Sequence, residues 1–275
     1  MIMNLHTHTH HSPDAHKTVA ERVAAANALG LRFMAVTDHV EINRYYPAEY
    51  YHAEQTEEFF YDGKGIFEGS QAEIAAAQEH CAPLTVLAGA EIGQIPQDTE
   101  KSALLYNDPR VDLIIGSVHE LPGRPDFYFL NYAEENIPAL VTAYFEELLR
   151  LAQTDCYDIL GHLTYGLRYL PDRRAYDLAP HQELIDEILM TVIRKKKAIE
   201  LNGSGLRKPK LYIDPDLVLV KRYRELGGKY LTISTDAHET KFLGFGIDLL
   251  EDMAKTAGFS ELTVFKKHEP FTVSL

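Results

Sequence analysis

The feature that most narrows the fold of this chain is a regular alternation of short apolar runs with amphipathic stretches. Strand character recurs at residues 2–5, 32–37, 84–88, 111–117, 157–161, 198–202 and 230–235. Each run is nearly all apolar and rich in β-branched or aromatic side chains, as strands buried on both faces are. Helical patterns fill the intervals at residues 18–29, 70–80, 98–107, 139–153, 181–196, 215–226 and 245–257. Gly30, Gly227-Gly228 and Gly258 stand where helices should stop, because glycine accepts the left-handed conformation of a helix end. Seven β-α units in succession predict an α/β parallel barrel, with residues 1–275 as one domain.

Two segments break the rhythm. Residues 40–69 carry Tyr45, Tyr46, Tyr50, Tyr51, Phe59, Phe60 and Tyr61, and residues 120–133 contain Pro122-Gly123-Arg124-Pro125 and Phe127-Tyr128-Phe129. Both read as long loops at the ligand end of the barrel, either functional or packed onto it. No internal repeat, linker or low-complexity tract interrupts the rest.

Charge removes one class of partner. A formal net charge of -14 argues against a nucleic-acid surface, which needs clustered Lys and Arg. The single basic run, Arg194-Lys195-Lys196-Lys197, ends a helical pattern, where cations favour the helix dipole. Small anions stay open as substrates if metal ions reverse the charge locally. No apolar stretch of about 18 residues exists and the start lacks a secretory pattern, so the expectation is a soluble, cytoplasmic protein without a membrane partner. Cys81 and Cys156 are too few and too isolated for a disulfide framework or a zinc motif, and read as reduced structural thiols. Nothing in the pattern sets an oligomeric state.

Six histidines fall at the ends of the strand-like runs: His6, His8, His39, His119, His162 and His238, with Glu91 and Asp236 in equivalent places. In a parallel barrel those ends converge on one mouth, where active sites are built. His6 and His8 are two apart on extended backbone, so both rings face one side; Asp236 and His238 share that spacing. Imidazole with carboxylate is a ligand set for zinc, manganese or iron. His52, His80, His181 and His268 lack this placement and read as ordinary core or surface histidines. Asp38 and Asn4 are expected to orient imidazole rings rather than bind metal.

These residues resemble the polymerase-and-histidinol-phosphatase (PHP) family. The likeness runs from His6-Thr7-His8 through Thr37-Asp38-His39, Glu91, Ser117-Val118-His119 and Gly161-His162 to Thr235-Asp236-Ala237-His238. It implies a distorted seven-stranded, TIM-like barrel forming one PHP-type metallophosphoesterase domain, with three divalent ions at the C-terminal strand ends. One ion would take His6, His8, Glu91 and Asp236. Glu91 would bridge to a second on His119 and His162, and the third would take Asp14, His39 and His238. His10, His11 and His16 lie in the loop of Asp14, and His16 is an alternative to it. The first motif departs from the family by beginning with Asn4 in place of Asp, which implies a retuned site.

Three divalent ions would contribute about +6 against about -3 from Asp14, Glu91 and Asp236, a field that suits a phosphate dianion. The resemblance implies in-line attack on phosphorus by a metal-bridging hydroxide, with Glu91 and Asp236 among the catalytic residues. Arg168 and Arg207 are candidates for binding phosphate through their planar guanidinium forks and for assisting catalysis. The stretches around Gly161-His162…Arg168 and Asn202-Gly203-Ser204-Gly205-Leu206-Arg207-Lys208-Pro209 are similar to the histidinol-phosphatase branch. The implied reaction is hydrolysis of L-histidinol phosphate in histidine biosynthesis. Glu41 and Glu120 are candidate partners for the cationic amine and imidazole of that small substrate, and Glu120 departs from the apolar residue associated with its position. The alternatives are a PHP phosphoesterase for another small phosphate or nucleotide, a noncatalytic PHP module, and a zinc-dependent amidohydrolase barrel. Phosphate release separates the phosphoesterases from the other two.

Overall fold

In the computed structural model, residues 1–42, 63–173, 176–207 and 211–275 are described. Strands β1 (Met3–Asn4), β2 (Phe33–Val36), β4 (Thr85–Gly93), β5 (Leu113–Ser117), β6 (Ile159–Leu160), β7 (Ala198–Asn202) and β8 (Leu231–Ser234) pair in that order, all in parallel. Segment β3 (His39–Glu41) takes over pairing with β4 where β2 leaves it: β2 lies opposite Thr85 to Ala88, and β3 opposite Glu91 to Gly93. The two are one staggered strand, so the sheet has seven strand positions.

Closure between the first and last strands rests on a few bonds. Leu5 N donates to Ile233 O at 3.1 Å and His8 N to Ala237 O at 3.1 Å, with Thr7 bridging Ala237 in parallel. The result is a nearly closed, distorted barrel, as expected, and the weak seam lies beside the residues that carry His6, His8, Asp236 and His238.

The seven expected helices surround it: α1 (Val19–Leu29), α2 (Lys64–Gln78), α3 (Thr99–Tyr106), α4 (Ile137–Gln153), α5 (Gln182–Arg194), α6 (Leu217–Glu225) and α7 (Ile247–Thr256). Helix α1 starts with a reciprocal Thr18–Glu21 capping box and stops at Gly30, whose φ is 71°. Helix α4 turns Leu140, Val141, Tyr144, Phe145, Leu148 and Leu151 inward. That spacing covers one face of a 3.6-residue helix, and each fully buried side chain of this size contributes about 1.5–3 kcal/mol. No helix among the described residues is long and apolar enough to cross a membrane. Cys81 and Cys156 are free thiols, each half-buried.

Two expectations need amendment. Helix α2 begins at Lys64, so residues 64–69 are helical rather than loop. Gly65 and Gly69 weaken the local helical signal, while Phe67, Ser70, Gln71 and Ile74 supply the buried face. The aromatic stretch from Tyr45 to Tyr61, and His52 with it, lies outside the described residues. The segment 120–133 packs onto the barrel through buried Phe127, edge-on to Tyr144 and Tyr165, and also lines the cavity at its mouth.

The second amendment is a C-terminal hairpin, β9 (Glu261–Lys266) and β10 (Glu269–Ser274), outside the β-α rhythm. Its turn residues Lys267 and His268 both have positive φ (52° and 65°), a conformation usually marked by Gly or Asn, which hid the turn from sequence. Leu262, Thr263, Val264 and Phe265 are buried. The tip reaches the N-terminal end of the barrel, where His268 N donates to Asp112 O at 2.9 Å.

Candidate metal centre

The strands deliver their ligands to a single mouth. Glu91 sits at its centre because β4 runs on to Gly93, past the level where the sequence pattern ended. Its Oε1 lies 3.1 Å from His119 Nε2 and 2.9 Å from His162 Nε2, which are 3.4 Å from each other. Its Oε2 lies 3.2 Å from His6 Nε2, 3.7 Å from His8 Nε2 and 2.8 Å from His39 Nδ1. Asp236 Oδ1, just beyond the end of β8, faces the same pair, at 3.8 Å from His6 Nε2 and 3.3 Å from His8 Nε2. Asp236 has a φ of 52°, in the left-handed region that few non-glycine residues adopt; the strain is local to the residue whose carboxylate must turn into the mouth.

On the outer side, His39 Nε2 and His238 Nε2 are 3.3 Å apart. Asp14 faces both, with Oδ2 3.0 Å from His238 Nε2 and Oδ1 3.8 Å from His39 Nε2. Of the two alternatives it is Asp14, and not His16, whose contacts with this pair are seen. His8 stacks on both rings, at centroid distances of 4.2 Å from His39 and 4.1 Å from His238.

The rings are held from behind. Glu200, on β7, takes His6 Nδ1 at 2.7 Å and the backbone N–H of His162 at 2.7 Å, and also accepts from Ser234 Oγ. Asp38 accepts from Thr9 N, Thr9 Oγ1, Ser70 Oγ and Ser12 Oγ at 2.6–2.8 Å, and Ser12 Oγ meets His8 Nδ1 at 3.1 Å. Asp38 therefore orients His8 through a serine, the role expected of it. Ser117 Oγ donates to Glu91 Oε1 at 2.7 Å; a Cβ at Gly161 would lie 2.7 Å from Ser117 Oγ, so the glycine before His162 keeps room for the contact. Asn4 is the exception. It touches no imidazole: its Nδ2 donates to Thr235 Oγ1 (2.7 Å) and Leu243 O (2.8 Å), and its Oδ1 accepts from Thr235 N (3.0 Å). It staples β1 to the end of β8, and the donation to Leu243 O is one that an aspartate could not make.

Burial penalises charge on His6, yet Glu91, Glu200 and Asp236 outweigh it and hold its pKa well above the ordinary imidazole value. The same contest, won by Glu91 with Asp14 and Glu41, raises His39 to about 9, and Glu41 with Glu91 raises His119. His8 goes the other way, down to about 3, through burial and the neighbouring His238 and His39. For Glu91 and Asp236, burial is overcome by the imidazoles, His6 foremost, and both are held well below the usual carboxylate range. Such a cluster needs positive charge at its centre. His6 Nε2, His8 Nε2 and Glu91 Oε2 are moreover buried without a hydrogen-bond partner while converging to within 3.7 Å. Imidazole nitrogens and carboxylate oxygens aimed at common points fit divalent metal ions.

A cavity of about 330 Å³ opens over this cluster, lined on its far wall by Glu120, Asp126, Phe129, Tyr165, Arg168 and Tyr169. The side chain of Arg168 is nearly covered, stacks 4.7 Å over the Tyr165 ring, donates to Ser204 Oγ at 2.9 Å and reaches to 3.8 Å from Asp236 Oδ2. Arg207 lies behind it, with Nη2 on Asp236 O (3.0 Å) and Nε on Ser204 O (3.1 Å), outside the cavity lining. Glu120 is buried in the wall. Glu41 also lines the cavity, but its Oε1 is engaged with His119 Nδ1 at 2.9 Å and its Oε2 accepts from Gln94 Nε2.

The PHP domain matches residues 4–204. This chain belongs to the PHP family. Two similar proteins along nearly the whole PHP chain are the histidinol-phosphatase of Lactococcus lactis, 28% identical over 96% of this chain and 94% of that one, and the probable histidinol-phosphatase of Thermotoga maritima, 26% identical over 96% and 95%. Among solved structures, the L. lactis histidinol phosphate phosphatase complexed with zinc, L-histidinol and phosphate superposes with a TM-score of 0.78 at 24% identity, covering 98% of this chain and all of that one. The six histidines singled out from the sequence are brought together at this mouth, whereas Glu200 was not foreseen. Its signal was available: a single acid inside the apolar strand Ala198-Ile199-Glu200-Leu201 must be paired where it is buried.

Proposed function

We propose that this protein is a metal-dependent phosphomonoester hydrolase that acts on L-histidinol phosphate. The observation that carries the reading is the convergence of six imidazoles with Glu91, Asp236 and Asp14 beneath a cavity whose wall offers the guanidinium of Arg168. The match in family and the whole-length likeness to histidinol-phosphatases support it. We assign His6, His8, Glu91 and Asp236 to one ion, Glu91, His119 and His162 to a second, and Asp14, His39 and His238 to a third. Bound divalent ions supply a water of lowered pKa and neutralise charge on phosphoryl oxygens.

The protein's own groups supply the rest. Arg168, fixed by Tyr165 and Ser204, presents its fork to the phosphate, and Arg207 buttresses it from the Ser204 and Asp236 carbonyls. Glu120 faces the cationic end of the substrate. Glu41 holds the Nδ1 side of His119, which fixes the ring so that Nε2 points at Glu91. The imidazole rings packed around Glu91 and Asp236 keep bulk water from these buried carboxylates, which strengthens every charge interaction inside.

The test is inorganic phosphate release from L-histidinol phosphate, by enzyme loaded separately with zinc and with manganese, beside sugar phosphates, nucleotides and a chromogenic ester. A kcat/KM for histidinol phosphate at least 100-fold above the panel is expected. Equal, weak release from all esters would remove the substrate and keep the phosphatase. No release from any ester would overturn both.

A further inference from the structure

Away from the central cluster, two more histidines share a carboxylate. His10 Nε2 lies 2.7 Å and His11 Nε2 3.3 Å from the same oxygen, Glu73 Oε1, and the two rings are 4.2 Å apart. The histidines sit on the loop after His8, and Glu73 on α2. The arrangement is prepared on every side. Glu73 Oε2 accepts from Val19 N at 3.3 Å, which fixes the carboxylate. His10 N donates to Lys17 O at 2.9 Å, closing the loop. Gly69 lies one turn before Glu73, and a Cβ there would stand 2.7 Å from His11 Cε1; the ring is seated on a glycine. His11 Nε2 is buried without a hydrogen-bond partner although it points at Glu73.

A surface ion pair needs one imidazole. Here two aim their Nε2 atoms at one oxygen, and the inner one makes no hydrogen bond there. We infer that His10, His11 and Glu73 form a second, solvent-facing site for a divalent transition ion such as zinc, separate from the buried centre. Two imidazoles and one carboxylate supply three ligands, and the outward side leaves a position for water. Side-chain exposures of 39% for His10 and 36% for Glu73 give the ion a path from solution, and 16% for His11 anchors the site inward. The ion would tie the loop bearing Ser12 and Asp14 to the helix bearing Ser70, and so stiffen two supports of the central histidines.

The test compares the full-length protein with Glu73→Gln and His10→Gln. Each is equilibrated with free zinc buffered from nanomolar to tens of micromolar, bound zinc is counted by mass spectrometry of the metal, and folding is checked by circular dichroism. Gln at 73 keeps an oxygen for Val19 N, and His10 is exposed, so the two variants guard against a folding failure in either. The wild type is expected to bind about one zinc more than either variant, and to gain a zinc-dependent rise in Tm that both variants lose. Because the reading is a difference, it does not depend on how many ions the central cluster holds; a failure of that centre would lower all three totals together. Equal zinc in the wild type and the folded variants would overturn the inference. So would a loss of two or more ions in a variant, since the cluster would then be a support of the central site.

Discussion

The two ends of the barrel use the same residue types to opposite effect. At the N-terminal end, Asp158 is buried and both its oxygens are occupied: Oδ2 by Ile114 N (2.8 Å) and His268 Nδ1 (2.8 Å), and Oδ1 by Tyr106 Oη (3.1 Å) and Lys197 Nζ (3.4 Å). At the C-terminal end, Glu91 is equally buried but has one oxygen without a hydrogen-bond partner, among imidazole nitrogens in the same state. A buried carboxylate completed by protein groups locks strands together. One left incomplete among converging ligands is a place for an ion.

The largest effect should come from removing the incomplete carboxylate. Glu91→Ala is expected to lower kcat/KM by roughly a thousandfold or more, since it uncouples groups that act as a unit, and to reduce bound metal while leaving the far-ultraviolet circular dichroism intact. Near-normal turnover in that variant would break the comparison outright.

Metal removal should expose the charge balance next. With the ions chelated away, the buried carboxylates keep protons on His6, His39 and His119. His39, raised to about 9 because Glu91 and its neighbours outweigh the burial penalty, gives stability that is full below its unfolded pKa near 6.5 and is lost as pH rises through about 9. Up to roughly 3 kcal/mol is at stake. The metal-free protein should therefore lose Tm between pH 6.5 and 9, and the zinc-loaded protein should not. Parallel melting curves for the two forms across that range would count against the assignment of these ligands.

Glu200→Gln sharpens the contrast from within the mouth. Gln can still donate or accept one bond but cannot charge-balance His6, so metal affinity is expected to fall about 10- to 100-fold, measured by competition with a chromogenic chelator. At the opposite end, His268→Ala should cost about 1–2 kcal/mol in urea unfolding, from the lost bond to Asp158, and leave kcat/KM of the folded enzyme unchanged. A drop in turnover there would mean that the two ends are coupled.

Much of this arrangement is legible along the chain. The strand-like runs end at His6, His39, His119, His162 and Asp236 because a parallel barrel puts strand exits on one side, and that rule needs only local pattern. The readings of His181 and His268 as ordinary residues hold too: His181 Nε2 meets Tyr176 Oη at 3.0 Å, and His268 holds Asp158. Asn4 shows the limit. Its position beside His6 suggested a partner for an imidazole ring, yet its amide closes the seam to β8.

The sequence by itself determined the β-α order, the helix stops and which histidines stand at strand exits, since each is a property of a few neighbouring residues and a fixed periodicity. Only the tertiary structure decided which group faces which. Glu200 meets His6 across 194 residues of chain, His8 lies between Asp236 on one side and His39 with His238 on the other, Glu41 turns to His119, and the C-terminal hairpin folds back to the barrel floor. Those pairings follow from strand register and barrel closure, which bring distant residues within about 3 Å, and no local pattern encodes a distance of that kind.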